Sequence, residues 1–208
     1  MRPKKLPNTI CKYKTPQEKP VKSPWRAKQD SKRFYDETAR SYKALYGEEQ
    51  TAKYHTALRA LEPLSGNVLD VGCGPGALLR KIPRARAVGL FVGVDTSIQM
   101  LKTARATEND YPHLICADVD FLPLQDGAFG TVFAFTLLQN LPDPLKSLRE
   151  LGRVVKKEGS VVATFHKSSL TRDEVLSLLS QEYQLLREIE TEDEVRDYAF
   201  VCRHPRPR

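Results

Sequence analysis

The residues of this 208-residue chain best suited to chemistry gather in a few short stretches. The first is Val68-Leu69-Asp70-Val71-Gly72-Cys73-Gly74-Pro75-Gly76, an apolar run that reaches an acid and then three glycines at alternate positions. Glycine is needed where the backbone takes φ > 0 or comes within contact distance of a ligand. A helix opening behind such a turn presents unpaired N–H groups to an anion. The spacing is neither the dinucleotide pattern G-x-G-x-x-G nor a Walker loop, which needs Lys-Ser or Lys-Thr after it. It predicts a nucleotide-like ligand lying across a strand-to-helix turn.

Three more stretches and one histidine join it. Asp95-Thr96-Ser97 stands about 20 residues on, where a carboxylate is placed to accept from a ribose diol. Asp95 or Ser97 is also a natural cap for the helix that follows. In Cys116-Ala117-Asp118-Val119, the acid can accept from the exocyclic amine of a purine, with Val119 against the ring. The bland alternative is a solvated loop aspartate. Gln139-Asn140-Leu141-Pro142 brings amides out of an apolar run, either for substrate contact or to cap the next helix. His166 follows another apolar run and is a candidate base or phosphate ligand, or else a solvated surface group.

These residues need elements to position them. Apolar runs over 67–71, 91–95, 113–116, 131–135 and 160–165 alternate with helical patterns over 77–81, 98–108 and 144–155. Such alternation predicts a parallel sheet with helices on both faces. A helical stretch over 172–180 then precedes two alternating runs, 183–190 and 194–203. The short turn between them, 191–193, pairs them as an antiparallel hairpin. The fold class is therefore α/β, a doubly wound seven-stranded mixed sheet with a terminal hairpin. Ligands bind such sheets outside the carboxyl ends of the strands, where every stretch above falls. Ahead of the sheet, apolar and aromatic residues from Phe34 to Tyr46 and from Tyr54 to Leu61 recur at helical spacing. They predict two helices separated at Gly47.

Composition narrows the class. Apolar residues make up 40% of the chain, enough for a core, and no run approaches the roughly 20 residues of a membrane span. No secretory signal is expected. Four scattered cysteines form no C-x-x-C pair, so no metal site or disulfide framework is expected and a reducing, cytoplasmic setting fits best. The formal charge of +7 is unevenly placed. Of 33 Lys and Arg, eleven lie in residues 1–33 with two of the 26 acids; the remainder, 22 bases against 24 acids, is near neutral. With Pro3, Pro7, Pro16, Pro20 and Pro24 and few aliphatics, residues 1–30 are expected to form an extended, basic arm, and residues 31–208 the folded domain.

Taken together, these motifs resemble the class I S-adenosylmethionine-dependent methyltransferases, whose fold is Rossmann-like. The likeness rests on Leu69-Asp70-Val71-Gly72-Cys73-Gly74-Pro75-Gly76, on Asp95-Thr96-Ser97-Ile98-Gln99-Met100-Leu101 and on Asp118-Val119-Asp120-Phe121-Leu122-Pro123-Leu124, in that order. The resemblance implies that Gly72, Gly74 and Gly76 let the backbone approach the methionine part of S-adenosylmethionine, with Asp70 helping to hold its amino end. It implies that Asp95 binds the ribose, Met100 packs near the adenine, Asp118 and Val119 address the adenine itself, and Cys73 and Thr96 are also among the cofactor-binding residues. Phe34-Tyr35-Asp36-x-x-Ala39-x-x-Tyr42 resembles the family's opening, whose aromatics, Tyr35 and Tyr42 here, cover the cofactor. One departure is Gly130, where the family often has an acid on entering the fourth strand; it puts local stability in question more than activity.

Methyl transfer from a sulfonium asks mainly for positioning and desolvation, with a base only when the acceptor must lose a proton. Asn140, Gln139 and His166 are the acceptor-side candidates. Asn140-Leu141-Pro142-Asp143 is similar in place to the Asn-Pro-Pro-Tyr loop of enzymes that methylate nucleic-acid amines, though its second residue is leucine and the aromatic is missing. No insertion of useful length separates the fifth strand from the hairpin, so a shallow site is expected. A shallow site beside a basic arm, with Tyr13 and Trp25 among the lysines to stack on bases, fits an RNA acceptor. Two alternatives stand: a small metabolite or quinone acceptor, and a scaffold that binds cofactor without transferring methyl.

Overall fold

A computed structural model describes residues 23–59, 64, 66–82, 89–106, 113–191 and 195–203. Seven strands form one sheet: β1 (Val68–Val71), β2 (Phe91–Asp95), β3 (His113–Cys116), β4 (Phe129–Phe135), β5 (Val155–His166), β6 (Gln184–Ile189) and β7 (Asp197–Arg203). Their order is β3-β2-β1-β4-β5-β7-β6. The first five run parallel, and β7 enters antiparallel between β5 and β6. The expected mixed sheet with its terminal hairpin is what forms.

Position in the sheet explains each strand's composition. Strands β1 and β4 lie at the centre, covered on both faces, and every residue of both is buried. That is why they are continuous apolar runs and do not alternate. One core, with Leu148, Leu151 and Val154 of the helix α5 (Pro144–Val154), fills one face; another, with Tyr54, Leu78 and Phe133, fills the other. Asp143 caps α5 by accepting from the Lys146 N–H, and Pro144 takes the first helical position, where its missing N–H costs nothing. Thr171 and Glu174 form a reciprocal capping box for α6 (Arg172–Leu179).

Three expectations about the elements change. Strand β4 starts at Phe129 and β5 at Val155, earlier than their apolar runs indicate, and they meet at a register shift between Phe129 and Thr131. Gly130 sits at that irregularity. A Cβ on Gly159 would lie 2.8 Å from the Gly130 carbonyl, so this corner is a close approach of backbones and not a place for an acid. Ahead of the sheet, α1 (Pro24–Thr38) and α2 (Tyr42–Arg59) are separated at residues 39–41, where Ser41 bonds back to the Thr38 carbonyl. Gly47 lies inside α2, a position that costs about 1 kcal/mol relative to alanine but does not break a helix held by packing. The helix α1 begins at Pro24, inside the segment expected to be extended, because Ser23 caps it by accepting from the Arg26 N–H. Residues 1–22 lie outside the described part, as do 192–194 of the hairpin turn and residues 107 and 108 of the fourth expected helix.

Candidate cofactor and acceptor site

A cleft opens at the carboxyl ends of β1, β2, β3 and β4, roofed by α1 and α2. The turn after β1 forms its floor. Gly72, Gly74 and Gly76 all take positive φ, at 73°, 51° and 73°. At Gly72 a Cβ would meet Leu137 Cδ1 at 3.1 Å, and at Gly76 it would meet Ala104 Cβ at 3.2 Å. At Gly74 it would meet nothing within 4 Å, so here the backbone itself faces open space in the cleft wall. Behind the turn stands α3 (Ala77–Lys81), with Gly76 in the cap position.

Asp95, at the end of β2, ties this turn to the next. Its Oδ2 accepts from the Gly74 N–H at 2.9 Å and its Oδ1 from the Ser97 N–H at 2.8 Å. The capping alternatives resolve in favour of Ser97, whose Oγ accepts from the Met100 N–H at the start of α4 (Ile98–Ala106). Ser97 Oγ also donates to Asp36 on α1 at 2.6 Å, fastening the roof to the floor. Burial would raise Asp36, but hydrogen bonds from Ser97 and Lys32 hold it below the ordinary carboxylate range.

The acids of the floor sit in little water. Burial, aided by the neighbouring Asp95, pushes Asp70 up to about 8. Burial also raises Asp95, against the two N–H groups that favour its charge. The Cys73 thiol is raised by the same burial and by Asp70 beside it. Asp70 is therefore partly protonated near neutrality, a state that a cationic ammonium would reverse.

At the β3 end, Lys28 of α1 reaches across to Asp118, at 2.6 and 2.8 Å from its two oxygens, and also to Asp120. This lysine belongs to the segment expected as an arm, and the sequence gives no local sign of its contact. Asp118 is thus an ion-paired wall residue and not a solvated loop acid. Val119 and Met100 line the same wall, with Thr96 between the β2 and β3 ends. Tyr35 and Tyr42, from α1 and α2, line the roof with ring centroids 6.3 Å apart. Of the expected cofactor residues, all but Gly76 line the cleft.

The β4 end contains what the sequence conceals. Thr136 has φ 52°, the sole positive value outside glycine among the described residues. A left-handed β-branched residue costs about 1–3 kcal/mol. Every polar group of Thr136 is used to hold it. Its N–H donates to the Thr164 carbonyl and hydroxyl; its hydroxyl accepts from Lys53 Nζ at 2.7 Å and donates to Asp197 Oδ2 at 2.9 Å; its carbonyl accepts from Asn140 Nδ2 at 2.8 Å. Lys53 and Asp197 also pair directly at 2.8 Å, with 2% and 0% of their side chains exposed. The turn that Thr136 makes brings Leu137 against Gly72, joining the two ends of the cleft.

Of the three acceptor-side candidates, only Asn140 lines the cleft. It stands on a 3₁₀ turn over Leu138–Asn140 and does not cap α5. Gln139 lies on that turn but outside the cleft wall, its Oε1 buried without a partner. His166 is away from the cleft as well: its Nδ1 is 2.7 Å from Ser168 Oγ in the turn after β5.

A family model described as a methyltransferase domain matches residues 69–163, which carry the turn, Asp95, Asp118 and Asn140. This stretch, a little under half of the chain, supports a class I S-adenosylmethionine-dependent methyltransferase domain. The chain is 31% identical over 140 residues to a Methanocaldococcus jannaschii protein, covering 67% of this chain and 53% of that one. It is 35% identical over 139 residues to a malonyl-[acyl-carrier protein] O-methyltransferase of a Marinomonas species, covering 65% and 50%. Over 113 residues it is 38% identical to a 2-phytyl-1,4-naphtoquinone methyltransferase of Nostoc punctiforme, covering 50% and 49%. The chain spans about half the length of these relatives. Among solved structures, the fold is similar to magnesium protoporphyrin IX methyltransferase from Synechocystis with bound S-adenosylmethionine. That match has TM-score 0.70 at 16% identity, covering 86% of this chain and 97% of that one. It is equally similar to the methyltransferase of Haloferax volcanii in complex with the Trm112 activator, at TM-score 0.70 and 19% identity, covering 83% and 98%.

The family's cofactor is S-adenosylmethionine, and the residues of this cleft fit it. The side-chain-free cradle at Gly74 faces the cleft, the acid at Asp95 is held by two N–H groups, and the buried Asp70 favours a cationic neighbour.

Proposed function

We propose that the chain transfers a methyl group from S-adenosylmethionine to RNA. One observation carries the reading: α1 serves two surfaces at once. Its Lys28, Ser31 and Tyr35 line the cofactor cleft, while Arg26, Arg33 and the following Arg40 are exposed to solvent. The helix that closes the cleft is thus also part of the chain's basic segment, and affinity for a polyanion would be built beside the cleft.

When bound, the cofactor supplies an electrophilic methyl on a sulfonium. The chain's own residues supply position and dryness. Asp95 and the Gly72–Gly76 turn hold one end, Asp118 and Val119 the other, and Tyr35 and Tyr42 exclude water from above. Asn140 spends its Nδ2 on Thr136, which leaves its Oδ1 to accept from an acceptor's N–H. No histidine is among the described lining residues, and burial keeps the Tyr54 hydroxyl well above its ordinary value and hence protonated. The site therefore suits an acceptor that attacks without first losing a proton to the protein, such as an amine or ring nitrogen. A carboxylate meets the same condition. With the malonyl-[acyl-carrier protein] and naphtoquinone relatives, it supports a second reading, in which the acceptor is a carrier-bound or small molecule.

The test is incubation with methyl-labelled cofactor and fractionated total RNA, protein and small molecules. Label in RNA, abolished by Asp95→Ala, is the expected result. Label confined to protein or small molecules overturns the RNA acceptor, and label nowhere leaves the scaffold alternative standing.

A further inference from the structure

Outside the cleft, α1 and α4 flank an open groove of about 1020 Å³. Its walls carry Arg33, Arg40 and Lys102. All three are exposed, and none has an ion-pair partner among the described residues. Arg26 and Arg105 are also exposed on the same two helices. Arg26 and Arg33 stand seven residues, two helical turns, apart on α1, a step of about 10 Å along one stripe, and Arg40 follows just past the helix end. Two acids also face the groove. Asp36 is neutralised by Lys32 and spent on Ser97 and Gln99, which leaves Glu37 against three free cations.

Four arginines elsewhere give a contrast, although Lys156, Lys157 and Arg196 are also exposed. These four, of the C-terminal half, are matched: Arg149 with Glu182, Arg153 with Glu150 and Asp126, Arg172 with Glu188, and Arg203 with Glu158. Uncompensated cations on α1 and α4 repel one another, and a polyanion relieves that repulsion. Two aromatic rings of α1 stand outside the groove's own lining. Trp25 is 70% exposed and Phe34 49%, each next in sequence to an arginine of the stripe. Exposed rings between cations give stacking platforms for unpaired bases along a phosphate track.

We infer that the α1–α4 groove is a docking surface for single-stranded RNA. The inference rests on the RNA reading above and goes beyond it, since it assigns the strand to a face distinct from the cleft. The aromatic rings favour RNA over an acidic protein.

The test is fluorescence anisotropy of a labelled mixed-sequence 20-nucleotide RNA with the full chain, across a salt series. In the triple variant Arg33→Glu, Arg40→Glu, Lys102→Glu, the slope of log affinity against log salt should become shallower by about 2. Trp25→Ala should weaken binding about tenfold without changing the slope. Cofactor affinity should be unchanged in both, because none of these residues touches the cleft. If the triple variant binds and methylates RNA as the parent does, the groove is overturned and the RNA reading survives. If the parent neither binds nor methylates RNA, both fall. Loss in the triple variant of docking to an acidic carrier protein, with RNA binding intact, overturns the inference in favour of a protein partner.

Discussion

The two ends of the cleft are built on opposite plans. At the β1–β3 end, each contribution is a few consecutive residues: a glycine turn, an acid closing a strand, a serine opening a helix. This end presents mostly backbone and fixed carboxylates to the cleft. At the β4 end, a single strained threonine is held by side chains from α2, β5 and β7. The first plan concentrates ligand affinity in residues that fold with their own strand. The second makes the shape of the wall depend on the completeness of the whole fold. Damage at one end should therefore cost binding, and damage at the other should cost stability.

The largest effect tests the second plan. Lys53→Met leaves Asp197 charged, buried and unpaired, which should destabilise the chain by about 3–5 kcal/mol, measured as a fall in the urea midpoint. Adding Asp197→Leu should recover more than half of that loss; no recovery would mean the pair is not what holds this end together. Next comes Asp95→Asn, which removes the anionic acceptor of the floor. Cofactor affinity should fall about 10- to 100-fold by calorimetry, with a smaller change in the urea midpoint than for Lys53→Met. A reversed ranking, stability before binding, would break the comparison. Ser97→Ala deletes the α4 cap and the α1 anchor together and should cost about 1 kcal/mol in a thermal melt. The last test is the most specific. Since Asp70 is raised to about 8 when folded, the native chain keeps a proton that the unfolded chain loses above about pH 4. Its contribution to stability therefore falls as pH rises from about 4 to about 8, and Asp70→Asn should flatten that part of the profile. Cofactor uptake near pH 7 should release a fraction of a proton, seen as a buffer-dependent heat and absent in Asp70→Asn.

The same division governs what could be foreseen. The floor was legible because its signals are local: three glycines at alternate positions, and Asp95 and Asp118 ending apolar runs. The topology followed from the alternation of strands and helices. Lys28 looked like one more cation of a tail, because its partners stand 90 and 92 residues away. Lys53 is an ordinary polar residue of a helix, and Asp197 an ordinary polar position of an alternating strand. Nothing nearby in the chain marks them as a buried pair. Thr136 could not be foreseen either, since most of the groups that hold it come from that pair and from Thr164, all distant in sequence. His166 and Gln139 fail for a related reason: emerging from the correct end of a strand does not fix the direction of a side chain. One missed signal was local. Ser23 followed by Pro24 is a helix start, a capping hydroxyl before a proline at the first turn, and it moves the edge of the folded unit.

The pairing of Lys53 with Asp197 also bears on the order of events during synthesis. Residue 53 leaves the ribosome well before its counter-ion, which belongs to β7, made after the other six strands of this sheet. Until that strand inserts between β5 and β6, burying the ammonium is costly. The roof helix α2 should then stay loosely docked, and the cleft immature, on a nascent chain whose central parallel strands have already paired. A ribosome-bound chain stalled short of β7 would carry a formed glycine turn beneath an unlatched roof.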